Sequence, residues 1–335
     1  MVVDEGHLDR RRGVHGLLSA RFAGLSDEQL TGLLDAETSW HAHIHGSQSS
    51  VVEIDGAKVF VKKIALSDLE RENEGVTANL FGLPGFYQYG VGSAGFGAWR
   101  ELSAYLRASA WALSGEHARF PLVYHWRVLP RRQRPQLTER QLDWLEQAPA
   151  YWGRSDAVRA RLDAIAAASA TIVLFLEHVP QTLHAWLGES LTGAGVDAAL
   201  EGRILRLYEQ LQDTAAFMNA RGMLHFDLHA FNVLTDGEQA YVADFGLALC
   251  ADFDLSSSER AFFETHRLYD RGFVAWNFLE QLAPRSPNLT PALDALAERW
   301  APAASVVGAF IEKLGEESKT TPYPAAELEA ALADN

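Results

Sequence analysis

Residues 224 to 249, LHFDLHAFNVLTDGEQAYVADFGLAL, place Asp227, Asn232 and Asp244 at fixed distances in a stretch that otherwise reads as strand, turn, strand. An ordinary hairpin with Asp and Asn at its turns accounts for each of these residues singly. It does not account for their joint spacing. Asp236-Gly237 between the two apolar runs marks the hairpin turn.

The flanking chain divides into a strand-rich half and a helical half. SDEQLTGLL from Ser26 offers a capping serine with Gln29 three residues on, ahead of an apolar run, which predicts a short helix. SWHAHIHGSQSSVVEIDGAKVFVKKI, residues 39 to 64, alternates, breaks at Gly46 to Ser50, and turns again at Asp55-Gly56; three antiparallel strands in a meander follow. AWRELSAYLRASAWAL has helical spacing with Leu102, Tyr105, Leu106 and Ser109 on one side. FPLVYHWRVL and TIVLFLEHV read as strands, the second ending at Pro180. Beyond Pro180, Ile204, Leu207, Tyr208, Leu211, Ala215 and Met218 recur at helical spacing up to Gly222, and nearly everything after Cys250 is helical. The expectation is an α+β protein of two lobes: a helical extension over 1–38, an N-terminal lobe over 39–179 with insertions at 65–97 and 131–170, and a C-terminal lobe over 180–335. The second insertion holds two helices, the later with Val158, Leu162 and Ile165 on one face. No internal repeat or low-complexity linker interrupts the chain.

Composition narrows the partners. The 335 residues exceed what one hydrophobic core usually spans, and 29 Lys and Arg against 44 Asp and Glu leave a formal charge of −15. Such a field repels phosphate backbones and anionic lipid, so neither nucleic acid nor membrane is expected as a partner. Cys250 is the one cysteine, excluding an internal disulfide and a thiolate metal cluster. The charged start MVVDEGHLDRRRG lacks the apolar segment of a secretion signal, and no run is long enough to cross a bilayer; the expected location is cytoplasmic.

Phosphoryl transfer from a nucleotide needs a group to orient the attacking hydroxyl, magnesium across the phosphates, and oxygen ligands to hold it. Asp227, Asn232 and Asp244 are side chains of those kinds. HFDLHAFN has the form His-x-Asp-x-x-x-x-Asn and ADFG contains Asp-Phe-Gly, so the sequence resembles the protein-kinase-like superfamily, over roughly residues 40 to 280. The resemblance implies ATP and Mg2+ as cofactors. It puts Asp227 beside the acceptor hydroxyl, chiefly to orient it, and makes Asn232 and Asp244 the metal ligands. His225 would fix the loop to the Phe245 region, and Asp270 in LYDRGF would brace it.

The same resemblance makes Lys62 of VFVK the lysine that meets the nucleotide phosphates, with Lys63 on the opposite face. Two glutamates qualify as its partner: Glu101, favoured because its helix leads into the next strand, and Glu72, closer in sequence. HGSQSS replaces the usual glycine-rich turn, so Gly46, Ser47, Ser49 and Ser50 would cradle phosphate oxygens. In FLEHVP, backbone groups of Glu177 and Val179 would bond an adenine, with Leu176 lining the pocket behind.

Details beside Asp227 bear on the acceptor. His229 gives the DLH of aminoglycoside- and choline-type kinases, and no Ala-Pro-Glu follows DFG, which favours a small, cationic hydroxyl acceptor. Against this, the intact DFG is typical of protein kinases, making an atypical Ser/Thr protein kinase with a protein substrate the alternative, and a nucleotide-binding pseudokinase scaffold the third reading. Ser256, Ser257 and Ser258 read as helix caps in preference to phosphorylation sites. YQYGVGSAGFGAW reads either as a second glycine-rich lid or as a tight loop packed by aromatics, and RRQR as a solvated run. His41, His43 and His45 share a strand face, a weak signal for zinc.

Overall fold

The computed structural model describes residues 5–43, 47–90, 92–132, 138–191, 195–284 and 290–333. The chain divides into two units: Met1–Pro84 with Gly92–His178, and Gly85–Val91 with Val179–Asn335.

The first unit is built on an antiparallel sheet. Helices α1 (Glu5–Ala23) and α2 (Asp27–Ala36) precede strands β1 (His41–Ala42), β2 (Gln48–Ile54) and β3 (Ala57–Leu66). Then come α3 (Asp68–Glu72), α4 (Ala98–Ser114), β4 (Val123–Pro130), α5 (Glu139–Tyr151), α6 (Asp156–Ala167) and β5 (Ala170–Glu177). The sheet order is β1-β2-β3-β5-β4. Asp55 and Gly56 both have positive φ, 50° and 82°, the geometry that lets a two-residue turn follow the twist of β2 and β3. Ser26 and Gln29 form the reciprocal capping box at the start of α2.

Residues 1–38 are not a separate extension. Helix α1 lies on the sheet: Ser19 Oγ donates to the Tyr124 carbonyl at 2.7 Å, and the Phe22 ring stacks on Phe175 at 4.2 Å. The inward face of α1 carries an arginine, which hides its packing role in the sequence. Arg11 is 6% exposed and donates to the Glu177 carboxylate at 2.6 Å and to the carbonyls of Ala118 and Phe120. On α4, Leu102, Tyr105 and Ser109 are buried as the spacing predicts, but Leu106 is 39% exposed; the buried arc also takes Glu101, Ala104, Ala108 and Ala112, and Leu106 falls one position past its edge.

Buried charge ties the two insertions to α4. Glu70 on α3 accepts from the Ala98 N–H at 2.7 Å, from Ser67 Oγ and N–H, and from Arg161 Nη1 on α6 at 2.8 Å. Burial pushes the Glu70 carboxyl up, but the Arg161 cation and these hydrogen bonds outweigh it and hold the group below the usual range. A lowered acid contributes stability that is present above the ordinary carboxylate range and lost as pH falls through the folded value. Glu70→Gln is therefore expected to cost about 1.5–3 kcal/mol at neutral pH, with the deficit shrinking in acid, measured by denaturant unfolding at both pH values.

The second unit is mostly helical. Its elements are β6 (Gln181–Thr182), α7 (Leu183–Ser190), α8 (Ala198–Ala220), β7 (Met223–Leu224), β8 (Val233–Thr235), β9 (Ala240–Val242), β10 (Leu249–Cys250), α9 (Ser257–Thr265), α10 (Tyr269–Leu282), α11 (Pro291–Glu316) and α12 (Ala325–Leu332). Strands pair β6-β8-β9 and β7-β10. All six apolar positions assigned to the inward face of α8 are buried, and the helix gives way to Gly222 at φ 75°. Ser256 caps α9 through a capping box with Glu259. Residues 85–90 were assigned with the first lobe by position in the chain, but they belong to this unit, where Tyr87, Gln88 and Tyr89 are buried. None of the described helices is long and apolar enough to cross a membrane.

Candidate active site

In the first unit, register decides which predicted residues share a surface. Ser49, Lys62 and Leu174 are direct partners across β2, β3 and β5, so their side chains lie on one face of the sheet. Lys62 Nζ lies 2.8 Å from Glu101 Oε1 and 5.9 Å from the Tyr105 ring centroid; both partners of the ion pair are buried. Glu72 ends α3, while α4 supplies the pairing carboxylate. Lys63 turns to the other face, with its ammonium 3.5 Å above the Trp40 ring.

One expectation needs correction here. Ser50 pairs with Val61, one residue out of step with Lys62, and so shares the face that holds Phe175 and Phe22; its hydroxyl cannot join Ser49 in a phosphate cradle. The Glu177 N–H donates to the Leu122 carbonyl at 2.8 Å and its carboxylate accepts from Arg11, so of its backbone groups the carbonyl is the one the expected adenine contact would use. Leu176 lies on the Lys62 face and is buried, and Val179 begins the second unit. Ser47 accepts the His43 N–H through its carbonyl, and Ser49 Oγ lies 2.9 Å from His43 Nε2. Gly46 and His45 lie outside the described residues. Among the described residues no group of three His, Cys, Asp or Glu side chains is placed to hold a metal.

In the second unit, the loop after β7 is held by a buried carboxylate. Asp270, on α10 and 1% exposed, accepts from the His225 N–H at 2.6 Å and the Phe226 N–H at 2.9 Å. Phe226 has φ 64°, a left-handed conformation that costs a non-glycine residue about 1 kcal/mol or more. Asp270 offsets that cost by fixing the N–H of the strained residue and that of the residue before it. His225 Nε2 donates to the Ala243 carbonyl at 3.0 Å while Nδ1 accepts the Asp227 N–H at 3.3 Å, so its partners fix which ring nitrogen faces which group. The Ala243 N–H in turn donates to the Asn232 carbonyl at 2.9 Å. These bonds join the segment carrying Asp227 and Asn232 to the residue before Asp244, which also has a left-handed φ, 61°.

Asn232 Nδ2 donates to the Asp227 backbone carbonyl at 2.9 Å and to Asp227 Oδ2 at 3.0 Å. Both partners only accept, so the amide nitrogen must face Asp227 and the amide oxygen is turned elsewhere. An amide oxygen and the Asp244 carboxylate are hard oxygen donors, the set that suits Mg2+. His229 Nε2 lies 3.5 Å from Asp227 Oδ1. Gly90 lies against the same carboxylate, a neighbour that no local pattern in the sequence signalled.

No family model matches the chain. Over 140 residues, 36% of the chain, it is 30% identical to nucleosomal histone kinase 1 of Drosophila melanogaster, and the match spans 23% of that protein's length. Over that stretch the sequence resembles the protein-kinase-like superfamily. The loop with its Asp, Asn and Asp-Phe-Gly lies within the second, mostly helical unit. Among solved structures, WaaP in complex with acyl carrier protein matches 85% of this chain and 92% of its own, with 12% identity and a TM-score of 0.38.

Proposed function

We propose that this protein is an ATP- and Mg2+-dependent phosphotransferase that moves the γ-phosphoryl group to a hydroxyl of a small, cationic molecule. The observation that carries the reading is the hydrogen-bonded set at Asp227: Asn232 holds its carboxylate through the amide nitrogen, and backbone bonds through Ala243 connect both residues to Asp244. In this reading Asn232 Oδ1 and Asp244 would hold a magnesium ion, which would supply neutralisation of phosphate charge. Asp227 orients the acceptor hydroxyl and takes its proton late. Lys62, kept in place by Glu101, binds the nucleotide phosphates, with Ser47 and Ser49 as further donors, Leu176 lining the pocket behind the adenine and backbone groups of Glu177 and Val179 bonding it. His229, in place of the lysine of common Ser/Thr kinases, supports the small-molecule acceptor, and the acidic composition suits a cation.

A protein acceptor is the second reading. It draws on the similarity to a protein named as a histone kinase and on the intact Asp-Phe-Gly. Both readings predict a higher thermal midpoint with ATP and magnesium together, because a ligand that binds only the folded state stabilises it by mass action. Radiolabel from γ-labelled ATP is expected on a small hydroxyl compound. Label on added protein would establish the second reading, and no shift with any nucleotide would overturn both.

A further inference from the structure

Asp227 is confined on both carboxylate oxygens. Oδ2 accepts from Asn232, and Oδ1 faces His229 Nε2 at 3.5 Å. A further neighbour of Oδ1 is Gly90: a Cβ placed there would overlap Oδ1 and stand 3.0 Å from Cγ and 3.4 Å from the Phe226 carbonyl oxygen. Gly90 does not have a left-handed φ, so backbone geometry does not demand glycine at this position. Space does.

The segment that brings Gly90 here is anchored at the two residues before it. Gln88 Nε2 donates to the carbonyl of Leu247, the residue after Asp-Phe-Gly. The Tyr89 hydroxyl donates to His266 Nε2 at 2.7 Å; His266 Nδ1 is occupied as donor to the Phe262 carbonyl, also at 2.7 Å, which leaves Nε2 as the acceptor. The Tyr89 ring meets Phe310 edge-on at 5.2 Å and Phe226 at 6.5 Å. Asp227 cannot retreat freely either, since Asp270 pins the backbone ahead of it.

We propose that Gly90 is a positioning residue: its bare Cα lets the segment lie against Asp227 and sets the direction in which Oδ1 meets the acceptor hydroxyl. The acceptor role rests on the phosphotransferase reading, whereas the contact does not, and the test separates the two. Gly90→Ala would be compared with Gly85→Ala, a control in the same segment whose Cβ meets only the Phe262 ring, at 3.4 Å. Each would be made in the native background, and Gly90→Ala also with Asp227→Ala. The readouts are thermal midpoint, Mg-ATP affinity and ATP turnover with water as acceptor.

Gly90→Ala is expected to lower the midpoint by about 2–4 °C in the native background and not with Asp227→Ala, where the clashing oxygen is gone. If the single variant fails to fold and the double variant folds, the same conclusion follows. Turnover should fall about 10–100-fold with Mg-ATP affinity within about twofold, a split between chemistry and binding that general loosening would not give. An equal midpoint loss in both backgrounds would overturn the contact. Undiminished turnover in Gly90→Ala, with Asp227→Asn inactive, would overturn the positioning role alone. Full turnover in Asp227→Asn would instead remove the phosphotransferase reading.

Discussion

Asp227→Asn is expected to lower phosphotransfer by about 10²–10⁴-fold while Mg-ATP affinity stays nearly unchanged. The amide is close in shape and can still accept from Asn232 Nδ2, so the hydrogen-bonded frame should survive. What is lost is the second oxygen able to accept the hydroxyl proton, and with it the orientation of the attacking group. Asp244→Asn makes the contrasting case: as the anionic metal ligand of the proposed site, it should weaken magnesium-dependent nucleotide binding itself. Isothermal titration with Mg-ATP beside steady-state turnover separates the two variants. Full activity in both would refute the site assignment.

The second large effect is on stability. Asp270→Ala strips the acceptors from the N–H groups of His225 and Phe226, both fully buried, and leaves the left-handed Phe226 backbone without the carboxylate that pins it. Two orphaned buried donors at about 1–3 kcal/mol each predict a loss of about 2–6 kcal/mol, read by urea unfolding. Asp270→Asn isolates the charge. Burial pushes the Asp270 carboxyl up from 3.8 to about 6, against the pull of the two N–H bonds and with a further push from the Asp227 charge. A carboxyl whose folded value is raised binds its proton more tightly in the native state, so its contribution is greatest below about pH 4 and is lost as pH rises through about 6. The stability advantage of the native chain over Asp270→Asn should therefore shrink between pH 4 and pH 7, by up to about 3 kcal/mol. A gap that does not change with pH would show that Asp270 titrates in its ordinary range.

Features encoded by neighbouring residues were legible in the sequence. The Asp227, Asn232 and Asp244 spacing, the Asp55-Gly56 turn, the Ser26 capping box and the buried face of α8 each depend on chain geometry over a few residues or one hairpin. Local steric and hydrogen-bonding preferences suffice to specify them. Sequence order already favours Glu101 over Glu72 for Lys62, since its helix leads into the next strand, and the buried ion pair bears that out.

What only the tertiary structure decided concerns groups far apart in the chain. Glu70 and Arg161 are 91 positions apart and Arg11 and Glu177 are 166 apart, and each reads alone as a solvated surface charge. Burial changes their meaning, since a charge removed from water is tolerable only when a partner and hydrogen bonds meet it, and periodicity carries no record of that partner. Ser50 failed for a related reason: β pairing alternates faces residue by residue, so the register with Val61 sends its hydroxyl away from Lys62. Gly90 is the extreme case. Its requirement comes neither from φ nor from a turn but from the Asp227 carboxylate lying where a Cβ would be, a constraint that exists only once the chain has folded.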